Sequence, residues 1–137
     1  MIDLSEMAEF VDNAAAQGVP ALVATAGKDG APNLAFKGSL MVWDKDHLAF
    51  WERAKGETLT DLEENPQIAA LYRNREAGKA WRFWGAVELL TSGDLREQIM
   101  GKTIQAELDR DPERTGVAVL IRVDRVSGSG TNQVREG

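Results

Sequence analysis

The residues best placed to do chemistry form the segment Lys55-Gly56-Glu57-Thr58, between an apolar strand and a short predicted helix. The strand ends at Trp51 and Glu52, and Asn65-Pro66 ends the helix. Backbone N–H groups at the start of a helix can bind an anion, and a lysine and a threonine hydroxyl add a positive charge and a donor. The pattern therefore predicts a phosphate site, with Lys55 as the counter-charge. Gly56 and Thr58 can also simply cap the helix, because capping uses the same geometry.

Neighbouring charges leave the details of this site open. A carboxylate at Glu57 beside a phosphate costs free energy unless it turns toward solvent or toward a basic partner such as Arg53. Arg53 could instead reach the phosphate itself. Lys37 and Ser39 share the polar face of an earlier strand, so Lys37 is either a second phosphate contact or a solvated surface lysine.

Composition excludes several classes of protein. A chain of 137 residues with 43% hydrophobic and 28% charged residues predicts one globular domain. A net charge of −6 without a Lys/Arg run argues against nucleic-acid binding. Without cysteine, and with His47 as the single histidine, a metal centre or a Ser-His-Asp triad is not expected. Because the opening residues do not resemble a signal peptide and no apolar run reaches ~18 residues, we expect a cytoplasmic protein that does not contact membranes.

The hydrophobic pattern places these residues in a mainly β fold. An N-terminal helix, a helix near 58–64 and a helix after Ser92 interrupt a series of short strands. The predicted strands lie near residues 21–25, 32–42, 48–52, 67–74, 79–90 and 116–124. Six strands joined mostly by turns predict an antiparallel barrel with peripheral α-helices, here over residues 1–126. Residues 127–137, which begin Ser-Gly-Ser-Gly, are predicted to form a flexible polar tail.

The long fifth strand carries large side chains on both of its faces. Trp81 and Phe83 point one way and Arg82 and Trp84 the other. One face can fill the barrel, whereas a monomer has no obvious way to cover the second. This pattern predicts a homodimer.

The order of elements resembles that of the FMN-binding split β-barrels, the superfamily of pyridoxamine 5′-phosphate oxidase. Four local features in order support the resemblance over residues 21–124. They are the hairpin at Asp29-Gly30, the Pro32-Asn33 start of a strand, the corner that ends in Asn65-Pro66, and the long strand with Gly85. Among these proteins the chain looks most like the small bacterial FMN-binding proteins.

The resemblance implies a six-stranded split-barrel homodimer with FMN in the groove between two barrels. One strand would place Phe36, Lys37, Gly38 and Ser39 near the flavin and its phosphate. Trp51 and Glu52 would lie beside the isoalloxazine ring. The corner would hold the phosphate through the residues from Lys55 to Thr58, namely Lys55, Gly56, Glu57 and Thr58, and Arg53 is the alternative contact named above.

Departures from the oxidase pattern leave three functions open. Glu57-Thr58 stands where the oxidase carries Arg-Lys, Lys37 is a single base where a pair is expected, and the oxidase's C-terminal substrate-binding segment is absent. Oxidation of pyridoxamine phosphate is therefore not the expected reaction. We predict an FMN-binding protein that acts as a flavin-dependent oxidoreductase. The alternatives are a flavin-binding or electron-transfer protein without its own substrate, and a split barrel that binds a deazaflavin, haem or nothing. The weakened basic set favours the third function, while the single histidine disfavours haem.

Overall fold

A computed structural model describes residues 1–136 of the chain. Its strands are β1 (Ala21–Ala26), β2 (Pro32–Lys37), β3 (Met41–Asp44), β4 (His47–Glu52), β5 (Gln67–Asn74), β6 (Lys79–Leu90), β7 (Val117–Gly128) and β8 (Thr131–Val134). Its helices are α1 (Ala8–Asp12), α2 (Glu57–Glu64), α3 (Asp94–Lys102) and α4 (Gln105–Leu108), and a 3-10 turn at Ser5–Met7 precedes α1. The predicted mainly β fold with peripheral helices is confirmed. No helix among residues 1–136 is long and apolar enough to cross a membrane.

The strands form one antiparallel sheet in the order β2-β1-β5-β6-β7-β4-β3, and β8 pairs with β7. The prediction of six strands is therefore wrong, since the sheet has eight. The predicted strand over 32–42 is broken at residues 38–40, where Leu40 N–H donates to the Lys37 carbonyl in a turn. Its two halves become β2 and β3, which pair with different neighbours.

The break at residues 38–40 shapes the whole sheet. β2 and β3 are the two ends of the strand order given above, yet only these three residues connect them. A connection of this length spans at most about 14 Å. The sheet must therefore curl until its edges lie close together, although no strand pairing closes it into the predicted barrel. We call the gap between these edges the split.

Two apolar cores lie on opposite faces of the curled sheet. Strand β4 is buried on both faces because it borders each core. Leu48 and Phe50 belong to the main core inside the curl, whereas Ala49 and Trp51 lie in the second. Helix α3 contacts β4 and β7 and covers the second core. The members of this second core are Met41, Ala49, Trp51, Ile99, Leu108 and Ala118.

The C-terminal segment is ordered as a hairpin. β7 runs through Gly128, and β8 pairs with it from Thr131 to Val134. The N-terminal ammonium donates to the Val134 carbonyl at 2.9 Å, so both chain ends are held together. The sequence predicts a flexible tail over residues 127–137, whereas the structure places residues 127–134 in this hairpin; Gly137 lies outside the described residues. The Ser-Gly-Ser-Gly run includes a turn, at which Gly130 has φ of +71°.

Candidate functional site

Lys37 and Glu52 form an ion pair across the split. The Lys37 ammonium donates to Glu52 Oε1 at 3.0 Å and lies 2.8 Å from Oε2. The Glu52 side chain is 1% exposed and that of Lys37 is 13% exposed. Since a buried charge without a partner is costly, each residue requires the other. Lys37 and Glu52, which the sequence predicts as cofactor contacts, therefore neutralise each other's charge within the chain. Lys37 is not a solvated surface lysine.

Ser39 and Trp51 hold the same region together through backbone contacts. Trp51 N–H donates to Ser39 Oγ at 2.9 Å, and this hydroxyl donates to the Trp51 carbonyl at 3.2 Å. The Trp51 ring points into the second core, where its Nε1–H donates to Asp111 Oδ2 at 2.9 Å. Because this ring is only 1% exposed, it offers no open surface on which a flavin could lie. The structure gives Ser39 and Trp51 roles in the framework of the site.

Asp111 anchors the Trp51 ring and the loop before β7. Its carboxylate accepts from Trp51 Nε1–H and from the backbone N–H groups of Thr115 and Gly116. Burial alone would raise the pKa of Asp111, but these hydrogen bonds outweigh it and hold the pKa below its ordinary value. The sequence offered no signal for this residue, because its partners are distant or are backbone groups.

The corner before α2 presents free backbone donors to solvent. Lys55, Gly56 and Glu57 are exposed, and Lys55 has φ of +52°. Gly56 precedes α2, and no side chain caps the helix. The first intrahelical bond runs from Thr60 N–H to the Gly56 carbonyl, so the N–H groups of residues 57–59 have no helical partner. A positive φ followed by free N–H groups is the geometry of an anion-binding nest.

Thr58 is buried and belongs to a polar network that the sequence analysis missed. Asn33 Nδ2 donates to the Thr58 hydroxyl at 3.2 Å and lies 3.4 Å from Thr25 Oγ1. Thr25 in turn donates to Asp61 Oδ2 at 2.8 Å. Because Asn33 uses an acceptor lone pair of Thr58, the hydroxyl proton of Thr58 stays available to donate. The Pro32-Asn33 motif was the only sequence signal, and it marked the strand start rather than this contact.

Arg53 leads from β4 into the corner and has an unsatisfied donor. Its Nε is buried and has no hydrogen-bond partner among the described residues. The nearest carboxylate oxygen is Glu107 Oε2, 3.7 Å away. A buried N–H group without a partner is uncommon and calls for an additional acceptor. With the free N–H groups of α2 and with Lys55, this donor set fits a phosphate group.

Phe36 lies on the other face of β2 from Lys37. Leu34 and Phe36 are 69% and 68% exposed, on the outer face of the sheet. Beside them runs a shallow apolar groove of about 170 Å³, and a second groove of about 540 Å³ adjoins it at Trp84. The apolar groove is lined mainly by Leu22, Ala24, Leu34, Ala69, Leu71 and Trp84. The structure therefore separates Phe36 from the corner and places it on an exposed apolar surface, which we call the outer face.

The long strand β6 has the two faces that its sequence predicts. Trp81 and Phe83 are buried in the main core, while Trp84 is half-buried on the outer face. The Trp84 ring stacks on the Arg125 guanidinium, with 3.7 Å between the guanidinium carbon and the ring centroid. A Cβ at Gly85 would lie 2.1 Å from the Arg122 carbonyl oxygen, so only glycine allows β6 and β7 to approach here.

Three potential metal ligands meet at the β3–β4 turn. His47 Nδ1 lies 2.9 Å from Asp44 Oδ1 and 2.9 Å from Asp46 Oδ1. Arg135 also lies 3.1 Å from Asp46 Oδ2 and supplies a positive charge there. Burial tends to raise the pKa of Asp46, but Arg135 and His47 hold it below its ordinary value. We assign this turn no cation, because Asp46 already pairs with Arg135 and both carboxylates already contact His47.

Comparison with known proteins gives the fold and the family. The sequence model of the pyridoxamine 5′-phosphate oxidase family matches residues 6–128. No curated protein matches the chain. The chain is similar to the crystal structure of HupZ from Group A Streptococcus, with 26% identity, a TM-score of 0.71, and coverage of 99% of this chain and 100% of that chain.

Two further solved structures share the fold. One is a putative pyridoxamine 5′-phosphate oxidase from Lactobacillus delbrueckii, with 22% identity, a TM-score of 0.69, and coverage of 93% of this chain and 99% of that one. The other is an FMN-binding protein from Syntrophomonas wolfei, with 13% identity, a TM-score of 0.67, and coverage of 94% and 90%. Because the family match extends from residue 6 to residue 128, the chain belongs to the pyridoxamine 5′-phosphate oxidase family.

Proposed function

We propose that this protein binds FMN and is a flavin-dependent oxidoreductase, with the phosphate of the cofactor at the corner before α2. The observation that carries the proposal is the uncapped start of α2, preceded in the chain by Arg53, whose Nε has no partner among residues 1–136, in a chain of this family. Lys55, the N–H groups of residues 57–59, the Thr58 hydroxyl and Arg53 would hold the phosphate. Glu57 is exposed, which is consistent with a carboxylate that turns toward solvent.

The bound flavin would supply the redox chemistry, and the chain's residues would bind and orient it. Arg53 and Lys55 offset the charge of a phosphate dianion. The Lys37–Glu52 pair is neutral and rigid, so it would form a fixed wall of the split rather than a phosphate contact. Trp51 would contribute indirectly, because it holds the end of β4 against the second core.

We further propose that the functional unit is a homodimer that buries the outer face. Leu34 and Phe36 are large apolar side chains with more than two thirds of their surface exposed. Leu34 also lines the apolar groove that extends to Trp84. Contiguous exposed apolar surface of this kind marks an interaction site. A second copy would cover it and would complete a groove for the flavin ring.

A titration of the purified, ligand-free protein with FMN and with riboflavin tests the cofactor. We expect saturable quenching of flavin fluorescence, with FMN bound more tightly than riboflavin because only FMN carries the phosphate. Equal affinity for the two flavins would place the phosphate outside the corner.

The absorption spectrum of the protein as isolated separates the other ligands. Flavin absorption bands would support the proposal. A Soret band would indicate haem, and a deazaflavin spectrum would indicate that cofactor. A featureless spectrum together with no flavin binding would refute the proposed function.

A further inference from the structure

Helix α4 brings an acidic side chain to the split. Glu107 is 17% exposed, and its Oε2 lies 3.7 Å from Arg53 Nε. Its other oxygen, Oε1, would lie 3.3 Å from a Cβ at Gly38. The carboxylate therefore lies between the end of β2 and the end of β4, beside the donor that we assign to the phosphate.

Glu107 and Arg53 lie close together but do not form a hydrogen bond. A separation of 3.7 Å is too long for a hydrogen bond, and Arg53 Nε has no other acceptor among residues 1–136. Glu107 thus neutralises the guanidinium without satisfying this N–H group. An acceptor that reached Arg53 more closely would gain the hydrogen bond that Glu107 does not make.

The neighbouring ion pair between Lys37 and Glu52 is closer than the contact between Arg53 and Glu107. Lys37 lies 2.8 Å and 3.0 Å from the two oxygens of Glu52, which is 1% exposed. If a ligand replaced one partner of this ion pair, the other would remain as a buried charge without a partner. Of the two acids at the split, Glu52 therefore has the closer ion pair and the deeper burial, whereas Glu107 makes no hydrogen bond to Arg53 and its side chain is 17% exposed.

We propose that Glu107 is an internal competitor for the anionic group of the ligand. In the free chain its carboxylate occupies the position beside Arg53 and Gly38, and a bound phosphate replaces it. Glu107 therefore lowers the affinity for phosphorylated ligands and leaves the affinity for their uncharged analogues unchanged. This inference rests on the proposed phosphate site, and Glu107 is a positioning residue that acts through Arg53.

The test compares FMN with riboflavin on the full chain. Glu107→Gln removes the charge and keeps the shape, and we expect it to tighten FMN binding about threefold to tenfold, as for a partly screened charge pair. Riboflavin affinity should not change, although a merely structural role of Glu107 would alter both flavins. Glu107→Ala should give the same difference between the flavins, which guards against an effect specific to glutamine.

The control is Glu113→Gln, which removes one negative charge from an exposed position on the loop after α4. It should leave FMN affinity unchanged, and this result separates a local effect from the change in net charge. Equal FMN affinity of the parent and the Glu107 variants would overturn the proposal. Equal tightening by Glu113→Gln would overturn it as well.

A second measurement decides the proposal if no variant binds any flavin, a result that would refute the proposed function itself. The Arg53 Nε–H resonance, assigned by its loss in Arg53→Lys, is followed while inorganic pyrophosphate is added. We expect the resonance to shift at a lower pyrophosphate concentration in Glu107→Gln than in the parent. Identical titrations, or no shift in either protein, would overturn the competitor role independently of FMN.

Discussion

At the scale of single residues, the structure distinguishes two lysines that the sequence places near the predicted phosphate site. Lys37 is committed to Glu52, whereas Lys55 is exposed and follows a strand end that leads straight into α2. The sequence shows both as lysines near a predicted phosphate site and cannot distinguish them. The difference arises because the sheet curls and brings β2 beside β4, a long-range contact without a local signal.

Lys55→Ala should weaken FMN binding by about 1–3 kcal/mol, the range for a lost hydrogen bond to a charged group. The loss should shrink as salt is added, because the side chain is exposed and its charge is screened. Fluorescence titration at low and high ionic strength measures both effects. Lys28→Ala, at an exposed position in the β1–β2 turn, is the control. Unchanged FMN affinity of Lys55→Ala at low salt would show that Lys55 does not face the phosphate.

Lys37→Met should lower the free energy of unfolding by about 3–5 kcal/mol, because Glu52 would remain as a buried charge without a partner. The double variant Lys37→Met/Glu52→Leu should recover most of this loss, since no isolated charge is left. Urea denaturation of the parent, both single variants and the double variant gives the coupling between the two sites. Additive effects would mean that the two side chains do not interact in solution.

At the scale of elements, the alternation along β6 and the helix before Asn65-Pro66 could be predicted from sequence. Their patterns are local, with a period of two in the strand and a proline as the stop signal. The break between β2 and β3 could not be predicted, because residues 34–42 alternate without interruption and only tertiary pairing separates them. The β7–β8 hairpin was missed because glycine and serine are as common in linkers as in turns.

Amide hydrogen exchange tests the hairpin directly. The N–H groups of β8 that pair with β7 should exchange more slowly than those of an unstructured tail, since strand hydrogen bonds protect them. Mass spectrometry after peptic digestion, or NMR, provides the measurement. Exchange over residues 131–134 at the rate of an unstructured peptide would favour the flexible tail that the sequence predicts.

The loop between α4 and β7 should make stability depend on pH through Asp111. Its pKa in the folded chain lies below the ordinary value of about 3.9. The folded state therefore binds fewer protons than the unfolded state in this range. The stabilisation by the ionised carboxylate is present above the ordinary pKa and is lost as the pH falls through the folded pKa.

Asp111→Asn should cost about 1.5–3 kcal/mol near neutral pH, because hydrogen bonds to a charged group are lost. The difference from the parent should shrink as the pH falls below about 3.9. Urea denaturation of both proteins between neutral and acidic pH measures it. A difference that is constant over this range would show that the charge of Asp111 does not stabilise the fold.

At the scale of the whole molecule, the curled sheet leaves the chain with one unusual surface. The split is bordered by β2, and the outer side of the same strand carries Leu34 and Phe36. The split and the outer face are thus two sides of β2. A second copy docked on the outer face would lie next to the split, which links the proposed dimer to the proposed cofactor site.

The dimer proposal predicts opposite outcomes for two exposed apolar side chains. Phe36→Asp places a charge on the outer face, and burying that charge against a second copy is costly. Ala77→Asp makes the same kind of change at an exposed position in the turn between β5 and β6, away from the outer face. Light scattering at micromolar concentrations should give a dimer mass for the parent and for Ala77→Asp, and a monomer mass for Phe36→Asp. The monomeric variant should also bind FMN less tightly, because the second copy completes the groove. A monomeric parent would refute the dimer, and a dimeric Phe36→Asp would move the interface to another surface.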